Sequence, residues 1–148
     1  MMRRWLGGAF LLVASMILTG CGGEADGLVP TTGTITIDNQ PGANAAVAFV
    51  PQTGTLGNGG TAIADAAGHY EIVSPQGKKG IAAGNYRVTV SRRLNADGSP
   101  PDPNVPEIES FAKETLPIKY RDRDKTELIA TVAAGKSHDF SLNTGKKK

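Results

Sequence analysis

The chain is nearly without cysteine: Cys21 is the only one among 148 residues. An internal disulfide is therefore excluded, and in an exported protein the lone thiol needs another use. Aromatic residues are scarce, at 5% of the chain with a single Trp, which leaves little surface on which a sugar or base could stack. Neither sign of charge is in excess. The formal net charge is +2, and setting aside Arg3 and Arg4 leaves 14 basic against 14 acidic residues. Nucleic-acid binding, which demands a clear basic surplus, is not expected. No repeat of 20–50 residues is evident, and no apolar run reaches the roughly 20 residues of a membrane helix.

What is present starts at the N-terminus. Arg3 and Arg4 precede an uncharged apolar stretch, Trp5–Leu18, and small residues Thr19 and Gly20 lead to Cys21. A basic head, a short apolar run and a small-residue cleavage site read as a secretory signal over residues 1–20, to be left out of fold reasoning. Leu18-Thr19-Gly20-Cys21 resembles the lipobox of bacterial lipoproteins. That resemblance implies a diacylglycerol on the Cys21 thiol, cleavage before Cys21, and acylation, palmitate being typical, of the new amino group. Several acyl chains hold a protein on a membrane where one binds only marginally. By the same resemblance, Gly22 in place of a retaining aspartate favours an outer membrane if the cell has one; otherwise the expected location is the cell envelope at large.

The mature chain, residues 21–148, suits one domain. Residues 21–30 carry Gly and acid without periodicity and read as a lipidated Cys followed by a flexible tether. The folded domain is expected over 31–143, with a basic tail at 144–148 that ends in Lys146-Lys147-Lys148. Abundant Gly (19) and Pro (9) signal many turns between short strands. Alternation places strands at Gly33–Asp38, Ala45–Val50, Thr61–Ala64, Tyr70–Val73, Tyr86–Ser91, Thr126–Val132 and His138–Leu142. Turn chemistry falls at Asn39-Gln40-Pro41-Gly42 and at Asp65-Ala66-Ala67-Gly68. Residues 92–116 hold Pro100, Pro101, Pro103 and Pro106 and read as a long surface loop. Within it, helical spacing would put Ile108, Phe111 and Ala112 on one side of a turn or two in Glu107–Glu114. Seven short strands suggest an all-β sandwich.

A resemblance sharpens this. Gly33-Thr34-Ile35-Thr36, then Pro41-Gly42 with Ala43 and Ala45, then Val47-Ala48-Phe49-Val50-Pro51 are similar to the opening of carboxypeptidase-regulatory-like domains. Asp65-Ala66-Ala67-Gly68-His69-Tyr70 resembles their D-x-x-G-x-Y turn, and Gly84-Asn85-Tyr86-Arg87-Val88-Thr89-Val90 their G-x-Y-x-V-x-V strand. Leu116-Pro117-Ile118-Lys119-Tyr120, Thr126-Glu127-Leu128, Val132, Gly135 and Phe140-Ser141-Leu142 resemble small bacterial lipoproteins built from one such domain. The family implies a seven-stranded Greek-key β-sandwich of the transthyretin (prealbumin) type. It implies a scaffold, and a scaffold does not fix a function.

No active site, cofactor or metal is expected. His69 and His138 lack any metal-ligand spacing. Tyr120-Arg121-Asp122-Arg123-Asp124-Lys125 has carboxylates for a calcium loop, but each neighbours a cation that offsets it. Tyr120-Arg121 invites comparison with the terminal Tyr-Arg-Gly-Ser of transthyretin-like hydrolases, yet Asp122-Arg123 follows here. Ser91, Ser99, Ser110, Ser137 and Ser141 have no distinctive setting. The expectation is a non-catalytic, membrane-anchored envelope protein that meets a protein, a wall polymer or a polysaccharide, with the 92–116 loop either the foremost contact surface or disordered decoration. A carbohydrate-binding or substrate-presenting accessory to an envelope enzyme is the alternative, and an unrecognised hydrolase the remote one.

Overall fold

The computed structural model describes residues 27–146. Its regular secondary structure consists almost wholly of strands. Twelve are present: β1 (Leu28–Val29), β2 (Thr32–Ile37), β3 (Gln40–Pro41), β4 (Ala46–Pro51), β5 (Gly60–Ile63) and β6 (His69–Glu71), then β7 (Ile81–Ala82), β8 (Gly84–Ser91), β9 (Arg93–Leu94), β10 (Lys113–Glu114), β11 (Ile129–Val132) and β12 (Phe140–Leu142). Helix is confined to a 3-10 turn at Glu107–Glu109 and a four-residue α1 at Ile118–Arg121.

Two four-stranded sheets carry the fold. In the first, the order is β11-β8-β4-β5 and every pair is antiparallel. In the second, β2 is central: β3 and β6 pair with its two halves antiparallel, and β12 lies along its other edge, parallel. Two short ribbons, β1–β7 and β9–β10, flank them.

Alternation explains which faces meet. Along β8 the pattern of Tyr86, Val88 and Val90 inward is complete, each 0% exposed. Ile35 and Ile37 of β2, Val47 and Phe49 of β4, Val132 of β11 and Leu142 of β12 join them in one cluster. Phe49 is its pivot. Its ring lies 5.9 Å from that of Tyr86 in its own sheet, and 6.3 and 6.5 Å from those of Tyr70 and Phe140 in the other. Burying such rings removes on the order of 150–250 Å² each from water, the dominant favourable contribution to a small domain.

Two glycines illustrate why the chain needs that residue. Gly68 closes the Asp65 turn at φ 83°, its amide donating to the Asp65 carbonyl at 3.0 Å. Gly33 is forced by approach rather than angle, because a Cβ there would enter the His138 carbonyl and sit 2.7 Å from the Tyr70 hydroxyl.

The structure corrects several sequence expectations. The β2–β3 turn is Asp38-Asn39, both at positive φ (50° and 63°), and Gln40-Pro41 is already strand. Asp and Asn tolerate that backbone, and it matches the strand twist of a two-residue hairpin. Leu28 and Val29, read as tether, pair with Ala82 and Ile81, and Val29 is buried. Apolar side chains at the edge of a core are drawn into it even in a segment too short to show a period. Residues 92–116 are not a featureless loop, since β9 and β10 pair at their base. Nor do Ile108, Phe111 and Ala112 share a face: Ile108 and Phe111 are 94% and 93% exposed, while Ala112 is buried. The helical turn stops at Glu109, and Ser110 is extended, so helical spacing no longer applies. The signal, Cys21 and the last two residues, Lys147 and Lys148, lie outside the described residues.

Candidate functional site

The 92–116 excursion is built at its base by Glu114. One carboxylate oxygen accepts from the amides of Arg92 and Leu116, both at 2.9 Å, and the other from the Ser91 hydroxyl at 2.6 Å. Burial alone pushes the Glu114 carboxyl up, but these bonds outweigh it and hold it below its ordinary range. The Arg92 carbonyl also accepts from the amide and hydroxyl of Thr115. Arg93 then clamps the returning arm: its guanidinium donates to the Ala112 carbonyl at 3.0 Å and pairs with Glu107 at 2.6 Å. Further out, Asn95, Asp97 and Ser99 close a turn, and Asp102 accepts from the Asn104 amide and side chain. These bonds tie the base and the turns of this proline-rich segment and leave its outer side chains in water. Those side chains are Val105, Ile108 and Phe111, all exposed.

A second feature is an open groove beside β2 and β6, lined by Thr34, Asp65, His69, Glu71, Ser137 and Asp139 among others. Its carboxylates are half-committed. One oxygen of Asp65 accepts from the amides of Ala67 and His69 at 2.9 Å each, and one of Asp139 from the Thr34 amide and the Ser137 hydroxyl. Glu71 is paired with Lys79 at 2.9 Å. The second oxygens of Asp65 and Asp139 leave room for hydroxyl donors, yet the adjoining Tyr70 ring is buried and offers no plate to a sugar. Its hydroxyl donates to the His138 carbonyl, and burial, then the charge of Asp139, pushes it far above the usual tyrosine range.

The remaining sequence candidates separate. His69 stands exposed on β6, whereas the His138 ring meets Phe49 at 5.8 Å, edge to face. The buried His138 Nε2 has no hydrogen-bond partner among the described residues. Burial, then the nearby Lys136, lowers the pKa of that imidazole against an opposing pull from Asp139. Tyr120–Lys125 is held by side chains: the Asp122 carboxylate accepts from the Asp124 amide at 2.8 Å and faces Lys125 at 3.8 Å, while the Arg87 guanidinium donates to the carbonyls of Arg123 and Asp124. Among the described residues, no group of three or more His, Cys, Asp or Glu is placed to hold a metal. Ser91, Ser99 and Ser137 each donate to a carboxylate, of Glu114, Asp97 and Asp139, without an intervening histidine.

Sequence reasoning missed Glu114, which carries no motif, and the outward pose of Ile108 and Phe111. Ile108 and Phe111 stand three residues apart, a spacing that suggests one helical face, so it carried no sign of an outward pose.

No family model and no curated protein matches the chain. Among solved structures, a 9R-lipoxygenase from Cyanothece aligns over 79% of this chain at 20% identity, with a TM-score of 0.35. The aligned region spans 16% of that lipoxygenase chain.

Proposed function

We propose that this chain is a non-catalytic lipoprotein of the cell envelope, anchored through lipid at Cys21 and acting as a structural or interaction module. The observation that carries the reading is Leu18-Thr19-Gly20-Cys21 behind a basic and apolar leader, with that cysteine the only one in the chain. The finer fold proposed within it is a Greek-key sandwich of the transthyretin type, with eight strands in its two main sheets where the sequence suggested seven. Support comes from the central position of β2, the complete alternation of β8, and the Asp65–Gly68 turn that leads into Tyr70. Where the cell has an outer membrane, that is the proposed site of anchorage. The partner is a protein or an envelope polymer.

The anchor is tested by growing cells on an alkyne-bearing fatty acid and tagging the purified protein. Label on the wild type and none on Cys21→Ser is expected; label on both, or on neither, rejects the lipid anchor. The module is tested by in-cell crosslinking of the tagged full-length chain, with Cys21→Ala as the control. A dominant contact that depends on the anchor is expected. Diffuse contacts with abundant envelope components would reject a specific partner.

The groove favours a second reading, a carbohydrate-binding accessory, because carboxylates and hydroxyls line it together. Chemical-shift changes at Asp65, His69 and Asp139 on titration with cell-wall glycan fragments would support this reading, and their absence would end it.

A further inference from the structure

Ile108 and Phe111 hold the largest exposed apolar side chains of the excursion, and both lie more than nine-tenths in water. Val105 adds a third exposed apolar group. Scattered apolar residues on a surface need no explanation, but here they fall together on one short segment tied back to Arg93. Arg93 grips both Glu107 and the Ala112 carbonyl, so the chain between them is held at two points while its apolar side chains face outward. Such preorganisation lowers the ordering cost that a flexible loop would bear on binding.

The charges around these side chains are mainly acidic, although Arg93 pairs with Glu107 and Lys113 follows two residues after Phe111. Asp97, Asp102, Glu107 and Glu109 lie between Asn95 and Phe111, and no Lys or Arg does. Acidic groups beside an apolar tip disfavour a phosphate-rich membrane surface and favour a basic rim. Position agrees. β1 pairs with β7 just before β8 begins, and β9 starts just after β8 ends, so the described N-terminus and the excursion lie at opposite ends of a strand of 8 residues. That strand spans about 23 Å.

We infer that Ile108 and Phe111, flanked by Asp102 and Glu109, form a docking tip for a partner protein bearing an apolar pocket rimmed by Lys or Arg. This rests on the interaction-module reading and names its contact surface. With lipid at Cys21, residues 22–27 reach about 20 Å at most, and the tip is carried at the far end from that attachment. Phe111 enters the pocket as the anchor, and Ile108 packs beside it. Glu109 meets the basic rim and speeds the encounter.

The test places photoreactive benzoylphenylalanine at Phe111 of the full-length chain in the cells that make it, with the same label at Ile129 and Ile63. Capture of one protein from position 111 and not from 129 is expected. Capture alone is not support, so the identified protein is purified and titrated against the mature chain. Ile108→Ser with Phe111→Ser should weaken binding at least tenfold. Glu109→Lys should weaken it several-fold, with the difference shrinking at high salt. The double variant should melt within a few degrees of wild type, because both side chains are already exposed; Glu109→Lys decides the matter if it does not. Equal affinity of wild type and variants overturns the inference, as does attachment of the position 111 label to phospholipid. A silent position 111 beside one protein captured from 63 overturns the tip and leaves the module standing. Silence at every position removes both.

Discussion

Replacing Phe49 with Ala tests whether the two sheets are held together through one ring. Phe49 is 2% exposed and meets four rings, those of Tyr70, Tyr86, His138 and Phe140, at centroid distances of 5.8 to 6.5 Å. Three of those partners belong to the opposite layer or the turn leading into it. Truncation forfeits the transfer energy of the ring and leaves a cavity that the paired strands on both sides cannot collapse into. Phe→Ala at such sites costs about 3–5 kcal/mol. Aromatic pairing places the loss toward the upper half, since each pair adds about 0.5–1.5 kcal/mol beyond burial, though not additively. A domain of this size has about 5–15 kcal/mol in all. The variant should therefore lose a large share of its stability and melt roughly 10–20 °C lower. Urea unfolding of the mature domain, followed by circular dichroism, gives the free energy directly, with Phe49→Leu as the milder companion at about 1–2 kcal/mol. A loss below about 1 kcal/mol for the Ala variant would refute the reasoning, because the sheets would then be joined elsewhere.

Other outcomes follow from single contacts. Gly33→Ala should cost about 2–3 kcal/mol by urea unfolding, since the added methyl meets the His138 carbonyl and the Tyr70 hydroxyl; a neutral result would mean that β2 and the His138 segment are farther apart. Burial lowers the His138 pKa, so the folded state binds that proton less readily than the unfolded chain. Stability should fall as pH drops from the ordinary imidazole value of about 6.5 toward the lower folded value, and thermal melts of His138→Gln should lack that decline. Glu114 behaves oppositely in position: its folded pKa lies below the ordinary carboxylate value, so its contribution holds through neutral pH and goes only as pH falls through that lower value. Glu114→Gln should cost on the order of 1 kcal/mol at pH 7, and faster amide exchange at Arg92 and Leu116 would locate the loss.

Legibility in the sequence followed contact range. Tyr86, Val88 and Val90 could be placed from their own alternation, because a strand with one buried face writes its period into adjacent residues. The Asp65–Gly68 turn was equally local. The ribbon of β9 with β10 was hidden, since Arg93-Leu94 and Lys113-Glu114 are too short to show a period and are joined by the side chain of Glu114 rather than by a hairpin turn. Val29 looked like linker for a similar reason: its burial depends on Ile81, far along the chain. The parallel pairing of β2 with β12 could not be read from either strand. At the candidate tip, Ile108 and Phe111 were visible as apolar residues, but only the extended backbone at Ser110 shows that they face water.

That parallel pairing also sets an order in time. The central strand of one sheet finds its edge partner about a hundred residues later, as when Thr36 meets Ser141 across a separation of 105. Contacts so distant form slowly, because the intervening chain must first be brought together. A nascent polypeptide therefore keeps one flank of β2 unzipped until Leu142 is free to join it. Until then that flank stands as an open strand edge, its amides and carbonyls free to pair with another chain.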